Sequence, residues 1–338
     1  MTGCDTSTHD SAQYRHPLPN EAAVGARPYD CGMQPERSAA IRMSEEVRAA
    51  VASGTPVLAL ESTILSHGLP RPRNLEVAIA SEASVRAAGG VPATIGVING
   101  DAVVGLSVAE LERLCTADGV VKVSVRDLPI ARAERLDGGT TVAATAWLAH
   151  RSGIAVMSTG GLGGVHRGAS ETFDESADLT TLAHTPITLV SAGVKSILDI
   201  GATLERLETL GIPVVGYRTN RYPGFYVADS GFALDYRIES AGEAAALARA
   251  RDELGLSAAV LVANPIGEAL QLDPELHDRV LAEGLAAASA AGITGHDTTP
   301  FLLDHMQRAT AGRSVDVNLE VYRGNVALGA EIARALAD

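Results

Sequence analysis

Apolar residues run along this chain in short unbroken stretches, separated by longer stretches of mixed character. Seven have strand length: 56–61 (PVLALE), 93–98 (ATIGVI), 120–124 (VVKVS), 154–159 (IAVMST), 187–192 (ITLVSA), 213–217 (PVVGY) and 258–263 (AAVLVA). Strands that are apolar throughout, rather than at alternate positions, are buried on both faces, and the helical stretches between most of them supply the cover. The pattern predicts an α/β fold: a single three-layer α/β/α domain around a mixed, largely parallel central sheet. Local signals agree. Ser107 and Glu110 have capping-box spacing ahead of Leu111 and Leu114. Ile200, Leu204 and Leu207 share one helical face that Gly211 ends. Thr299-Pro300 reads as an N-cap followed by proline at the first helical position. Asn99-Gly100 predicts a tight hairpin turn.

Residues 1–42 lack this rhythm. They are mostly polar or small, are punctuated by Pro17, Pro19, Pro28 and Pro35, and read as a disordered extension. Met33 and Met43 are alternative functional starts, and 43–338 is the expected catalytic domain, with no internal repeat or linker.

Composition narrows the function. A chain of 338 residues, 46% hydrophobic, can bury a sizeable core. Its net charge of −14 argues against a protein that neutralises nucleic-acid phosphates. A small anionic substrate stays open, because a local pocket of positive charge suffices. Cys4, Cys31 and Cys115 are widely spaced and lack a CxxC, which indicates neither a disulfide framework nor a zinc site. No run of about 18 apolar residues predicts a membrane span, and the N-terminus lacks the apolar region of a signal peptide. A soluble, cytoplasmic protein is expected.

Ligands of open α/β sheets gather beyond the carboxyl ends of the strands, and few polar residues stand there. Glu61 closes PVLALE; desolvation there would raise its pKa and suit a proton donor, and a capping or salt-bridged glutamate is the alternative. Lys122 lies between Val121 and Val123, so its ammonium needs an anion, either Asp127 or a substrate phosphate. The loop 159–168 (TGGLGGVHRG) offers backbone N–H groups together with Thr159, His166 and Arg167, a phosphate cradle or simply a turn. It matches neither a Walker loop nor a dinucleotide fingerprint. Asp174, with Glu171, Glu175 and Asp178 nearby, supplies oxygen ligands suited to Mg²⁺ or Mn²⁺, unless this is only an acidic surface run. Lys195 follows ITLVSAG and precedes a helix that Ser196 would cap, with Asp199 at capping-box spacing. Desolvation and a helix dipole there would favour the neutral amine, a nucleophile that forms Schiff bases; a lysine reaching out to solvent is the alternative. Together these residues suggest a phosphorylated small molecule that presents a carbonyl.

At these residues the chain resembles the pseudouridine-5'-phosphate glycosidase family, also called indigoidine synthase A-like. ALESTILSHGLPRPRN (59–74), KVSVRDLP (122–129), STGGLGGVHRGASETFDESADL (158–179), SAGVKSILDIGATLERLETLGIPVVGY (191–217) and VANPI (262–266) carry the likeness, which runs from about residue 43 to the end. The resemblance implies reversible cleavage of the C–C glycosidic bond of pseudouridine 5'-phosphate to uracil and ribose 5-phosphate. It also implies a divalent metal, typically Mn²⁺, and a homotrimer. It assigns Lys195 as Schiff-base nucleophile, Glu61 as proton donor and Asp174 as metal ligand. Lys122, Val142, Ser176, Ala177 and Asp178 match substrate-contacting positions, with Thr159, His166 and Asn318 as further candidates. The chain departs from the family pattern at Val125, usually Arg, at His296, usually Lys, and across 217–226. Those departures leave a second reading, a synthase that joins ribose 5-phosphate to another base or an aromatic, polyketide-like acceptor. An inactive sugar-phosphate binding protein is the third.

Overall fold

All seven apolar stretches form strands, and four short strands join them in one sheet. In chain order these are β1 (Ile41–Met43), β2 (Val57–Leu60), β3 (Val91–Ile98), β4 (Asp101–Val104), β5 (Val121–Val123), β6 (Gly138–Thr140), β7 (Val156–Ser158), β8 (Thr188–Ser191), β9 (Val214–Tyr217), β10 (Tyr236–Ile238) and β11 (Val260–Ala263). The computed structural model describes residues 41–293 and 298–338, within a unit running from Ser38 to Asp338. The main path of the sheet is β1-β4-β3-β2-β7-β8-β11-β9-β10, with β6 paired to β3 and β5. Only β3–β4 and β3–β6 are antiparallel, so the sheet is mixed and mostly parallel, as expected.

The helices are α1 (Glu45–Ser53), α2 (Arg73–Ala87), α3 (Val108–Thr116), α4 (Leu128–Glu134), α5 (Val142–Arg151), α6 (Ala169–Thr172), α7 (Ala177–Leu182), α8 (Ile200–Thr209), α9 (Ala241–Glu253), α10 (Pro274–Ala290), α11 (Thr298–Ala309) and α12 (Arg313–Ala337). Successive strand residues point to opposite faces, and the core divides accordingly. Leu58, Leu60, Val156, Val190 and Val262 pack with Val77, Leu111, Ala244 and Tyr322, from α2, α3, α9 and α12. Val57, Ala59, Met157, Leu189 and Leu261 pack with Val47, Leu148, Leu179 and Leu207, from α1, α5, α7 and α8. Three layers result.

The local signals bear out except at two ends. Ser107 and Glu110 close a full capping box on α3. Asn99 (φ 50°) and Gly100 (φ 84°) turn β3 into β4 with the positive φ angles of a tight hairpin. Gly211 (φ 67°) follows α8. However, α11 already includes Thr298 and Thr299, so Thr299 is not its cap; Pro300 lies in the first turn, where its missing N–H leaves no carbonyl unpaired. At the other end, Ile41 and Arg42 belong to β1, paired in parallel with Ala102 and Val103, although the sequence reading put them in the extension. Three residues are too short a run to show a period. The rest of that extension, residues 1–40, and His296 lie outside the described residues.

Candidate active site

Glu61 directly follows β2 and is buried, 6% exposed. After it the chain makes a π-helical turn, Ile64–Gly68, a geometry common beside functional sites. The buried Ser62 hydroxyl fixes that turn to the sheet by donating to Ile95 O (2.6 Å) and accepting from Thr140 N–H (2.9 Å). Thr159, at the end of β7, is fully buried and donates its hydroxyl to Glu61 Oε1 at 2.5 Å. Burial raises the Glu61 pKa above the ordinary carboxylate value, and the charge of Asp178 pushes the same way. Lys195, the Thr159 hydroxyl and Lys122 oppose this, in that order, without overcoming it. Glu61 is therefore a carboxyl group that gives up its proton less readily than an exposed one, with two lysines in its surroundings.

Lys195 is half-buried in the loop after β8. Its backbone is anchored at both ends: its N–H donates to Leu162 O (3.1 Å) and its carbonyl accepts from Leu198 N–H (2.9 Å). Val194 N–H donates to the Tyr222 hydroxyl (2.9 Å), which holds the residue before it. The expected helix cap at Ser196 is not there. α8 starts at Ile200 and Asp199 is its cap, accepting from Ala202 N–H (3.0 Å). Two capping-type residues lay in range, and the second took the role. Ser196 instead pairs its hydroxyl with His277 Nε2 at 2.9 Å. The helix dipole thus begins beyond Lys195 rather than at it.

Lys122 also differs from expectation. It is exposed rather than buried, since its strand β5 is short and joins the sheet only through β6. Asp127 makes no direct ion pair with it, although its charge favours the ammonium; that carboxylate accepts from Ser124 N–H (2.9 Å) and pairs with Arg126 (3.3 Å). Partial desolvation and the like charge of Lys195 both lower the Lys122 pKa. Lys122, Lys195, Glu61 and Asp178 thus share one electrostatic neighbourhood.

Close packing accounts for three glycines of the loop, Gly161, Gly163 and Gly164. Half of the loop's ten N–H groups have partners: Thr159 with Val190 O, Leu162 with Gly193 O, Gly163 with Asp178 Oδ2, Val165 with Thr203 Oγ1 and His166 with Asp174 O. A Cβ at Gly163 would lie 2.3 Å from Ser176 Oγ and 2.6 Å from Asp178 Oδ2. One at Gly164 would lie 2.4 Å from Thr203 Oγ1. A Cβ at Gly161 would come within 2.6 Å of two Phe225 ring carbons and 3.2 Å of Lys195 Cγ. Gly161→Ala is therefore expected to cost about 1–3 kcal/mol, read by denaturant unfolding, and to lower kcat because Phe225 and Lys195 must both move. An unchanged kcat would mean that this contact does not place the lysine.

Asp178 is buried and bridges two segments, accepting from Ala143 N–H in the first turn of α5 and from Gly163 N–H, each at 2.9 Å. Both of its oxygens are thereby engaged by backbone donors, which ties α5 to the glycine loop. Ser176 caps α7, of which the exposed Ala177 is the first residue, and Val142 is the buried first residue of α5. Asn318, on α12, brings an unpaired, buried Oδ1 to 3.3 Å from where a Cβ of Gly160 would stand, with Ile64 and Phe225 beside it.

Asp174 is half-buried, 3.6 Å from His166 Nδ1. Glu175 is taken by Arg206 at 2.9 Å, and Glu171 is exposed. Among the described residues no three His, Cys, Asp or Glu side chains come together as a metal cage. One carboxylate fits a hard ion that keeps much of its water, the habit of Mg²⁺ and Mn²⁺.

Sequence reasoning missed Phe225, whose φ of 64° and contact with Gly161 put it beside the lysine. Its only signal was its place after Pro223-Gly224.

A 63% identical relative from Saccharopolyspora erythraea, aligned over 87% of this chain and 97% of its own length, is named pseudouridine-5'-phosphate glycosidase. So is one from Frankia alni, 58% identical over 88% of this chain and 82% of its own. Among solved structures, the prealnumycin C-glycosynthase AlnA in complex with ribulose 5-phosphate superposes with a TM-score of 0.82 at 37% identity, over 88% of this chain and 97% of that one. An indigoidine synthase A-like protein from Thermotoga maritima superposes with a TM-score of 0.80 at 38% identity, with the same coverage. The model of indigoidine synthase A-like proteins matches residues 46–335, which takes in every site residue from Glu61 to Asn318, and to that family the chain belongs.

Proposed function

We propose that this enzyme reversibly cleaves the C–C glycosidic bond of pseudouridine 5'-phosphate, giving uracil and ribose 5-phosphate. The observation that carries the reading is Glu61, a buried carboxyl group that accepts the Thr159 hydroxyl and shares its surroundings with Lys195 and Lys122. A carbon leaving group has no lone pair to protonate, so the acid–base chemistry of ordinary glycosides does not serve. A lysine and a carboxylic acid solve this together.

Lys195 Nζ, as the neutral amine, bonds to the anomeric carbon C1' as the C1'–O4' bond opens, and the proton that the nitrogen sheds passes to O4'. Glu61 gives its proton to C5 of the base. The C1'–C5 bond then breaks with its electron pair going to the uracil ring, while the lysine nitrogen forms an iminium at C1'. Water adds to that iminium and releases ribose 5-phosphate and the free amine, and the proton set free returns to Glu61. Asn318, with its unpaired carbonyl oxygen beside Ile64 and Phe225, suits the N–H edge of a flat base. Lys122 and the first turn of α5 at Val142 suit the phosphate, and Ser176, Ala177 and Asp178 hold the sugar-side wall. His166 positions Asp174, which would hold the divalent ion; when bound, that ion supplies positive charge for the substrate's oxygens.

Turnover of pseudouridine 5'-phosphate with Mn²⁺, followed by ultraviolet absorbance as uracil appears, tests the proposal. Negligible uracil from metal-loaded protein would overturn it. The likeness to the C-glycosynthase favours a second reading, in which the same lysine joins ribose 5-phosphate to an aromatic acceptor. Coupling to such an acceptor with little cleavage would support it, with Val125 and His296 the positions to exchange. Asp174→Asn is expected to weaken Mn²⁺ binding by about tenfold or more in calorimetry; unchanged affinity would place the ion elsewhere. A homotrimer in the cytoplasm completes the proposal. Among the described residues no helix is long and apolar enough to cross a membrane.

A further inference from the structure

Asn325 lies fully buried on α12, about two helical turns after Asn318. Its Nδ2 donates to two main-chain carbonyls, Thr159 O at 2.7 Å and Gly160 O at 3.1 Å. Both partners can only accept, which fixes the orientation of the amide. Its Oδ1 accepts from Asn264 Nδ2 (2.9 Å), in the loop after β11, and its main-chain carbonyl accepts from the Ser158 hydroxyl (2.8 Å). Gly329 leaves room for that hydroxyl, since a Cβ there would stand 2.1 Å from Ser158 Oγ. One helical turn therefore grips residues 158–160 in succession. A buried amide is costly unless every polar atom is met, and an apolar side chain would hold two layers together at less cost. What the amide adds is the rotation of the Thr159 peptide, and with it the direction of the Thr159 hydroxyl, 2.5 Å from Glu61.

We propose that Asn325 is a positioning residue for the proton donor: it acts through Thr159 to set the hydrogen bond on Glu61. The proposal rests on the reading of Glu61 as that donor. The charged groups facing Glu61 are Lys195, Asp178 and Lys122, with Tyr322 packed nearby, and none of them touches Asn325 through its amide. The Thr159 hydroxyl favours the ionised carboxylate, so losing it leaves Glu61 protonated to higher pH.

The test uses the full chain without substrate and follows the Glu61 carboxyl band by infrared difference against Glu61→Gln across pH. Thr159→Val is expected to move the titration upward by about one pH unit. Asn325→Leu is expected to move it in the same direction, and the double variant no further, because the two act in series. Asn325→Ser, which keeps one donor, is made alongside so that a folding failure of the leucine variant does not decide the matter. In turnover, kcat falls roughly ten- to a hundredfold while KM changes little, and the alkaline limb moves with the infrared titration. Asn325 variants that lose thermal stability yet titrate like the wild type would overturn the inference, as would additive shifts in the double variant. A wild type that never releases uracil would overturn the proposed reaction and leave the infrared result standing on its own.

Discussion

Lys195→Ala is expected to lower uracil release from pseudouridine 5'-phosphate by at least about a thousandfold, the scale on which removal of a covalent nucleophile acts. The fold should survive the change. The backbone of Lys195 is held by Leu162 and Leu198, and neither bond involves the side chain. The circular dichroism spectrum and unfolding midpoint should therefore stay near those of the wild type while turnover disappears. Lys195→Arg keeps the charge and most of the length but offers no free amine, so it should be as inactive as the alanine variant. Activity in the arginine variant would mean that the residue serves by charge alone.

Glu61→Gln should lower kcat by roughly 10²- to 10⁴-fold, the usual worth of a placed proton donor, while the amide keeps a hydrogen bond from Thr159. The same substitution should change stability in a pH-dependent way. Burial, aided by Asp178, raises the Glu61 pKa in the folded state. The folded protein thus binds this proton more tightly than the unfolded chain does, and the stability it confers is complete below the unfolded carboxylate pKa. It is lost as pH rises through the folded value. The glutamine variant, with nothing to titrate, should unfold at a higher temperature than the wild type near pH 8. That advantage should vanish near pH 4. A wild type more stable than the variant at alkaline pH would mean that Lys195 and Lys122 more than offset the burial of the carboxylate.

Much of this architecture was legible in the chain. The strands could be read because each is apolar throughout, and the hairpin because Asn99-Gly100 tolerates positive φ. Glu61 could be read because a carboxylate ending such a strand must be buried. Long-range partners were not legible. Gly161, Gly163 and Gly164 suggested an anion cradle, yet their neighbours are Phe225, Ser176 and Thr203, and no local pattern announces that packing. Lys122 was expected to be buried because its neighbours are valines, but β5 lies off the main path of the sheet. Ser196 was expected to cap α8 with Asp199 as its capping-box partner, yet Asp199 is the cap and Ser196 meets His277, from a helix much later in the chain. Asn325 gave no signal at all, since its partners Thr159 and Gly160 are 166 and 165 residues away.

Borohydride trapping tests the central claim most directly. The enzyme is mixed with ribose 5-phosphate, reduced and digested, and the modified peptide is sequenced by mass spectrometry. A stable sugar-phosphate adduct on Lys195, absent from Lys195→Ala, is the expected result. An active wild type that gives no adduct, or one that carries it on Lys122, would contradict the assignment of Lys195 as the nucleophile.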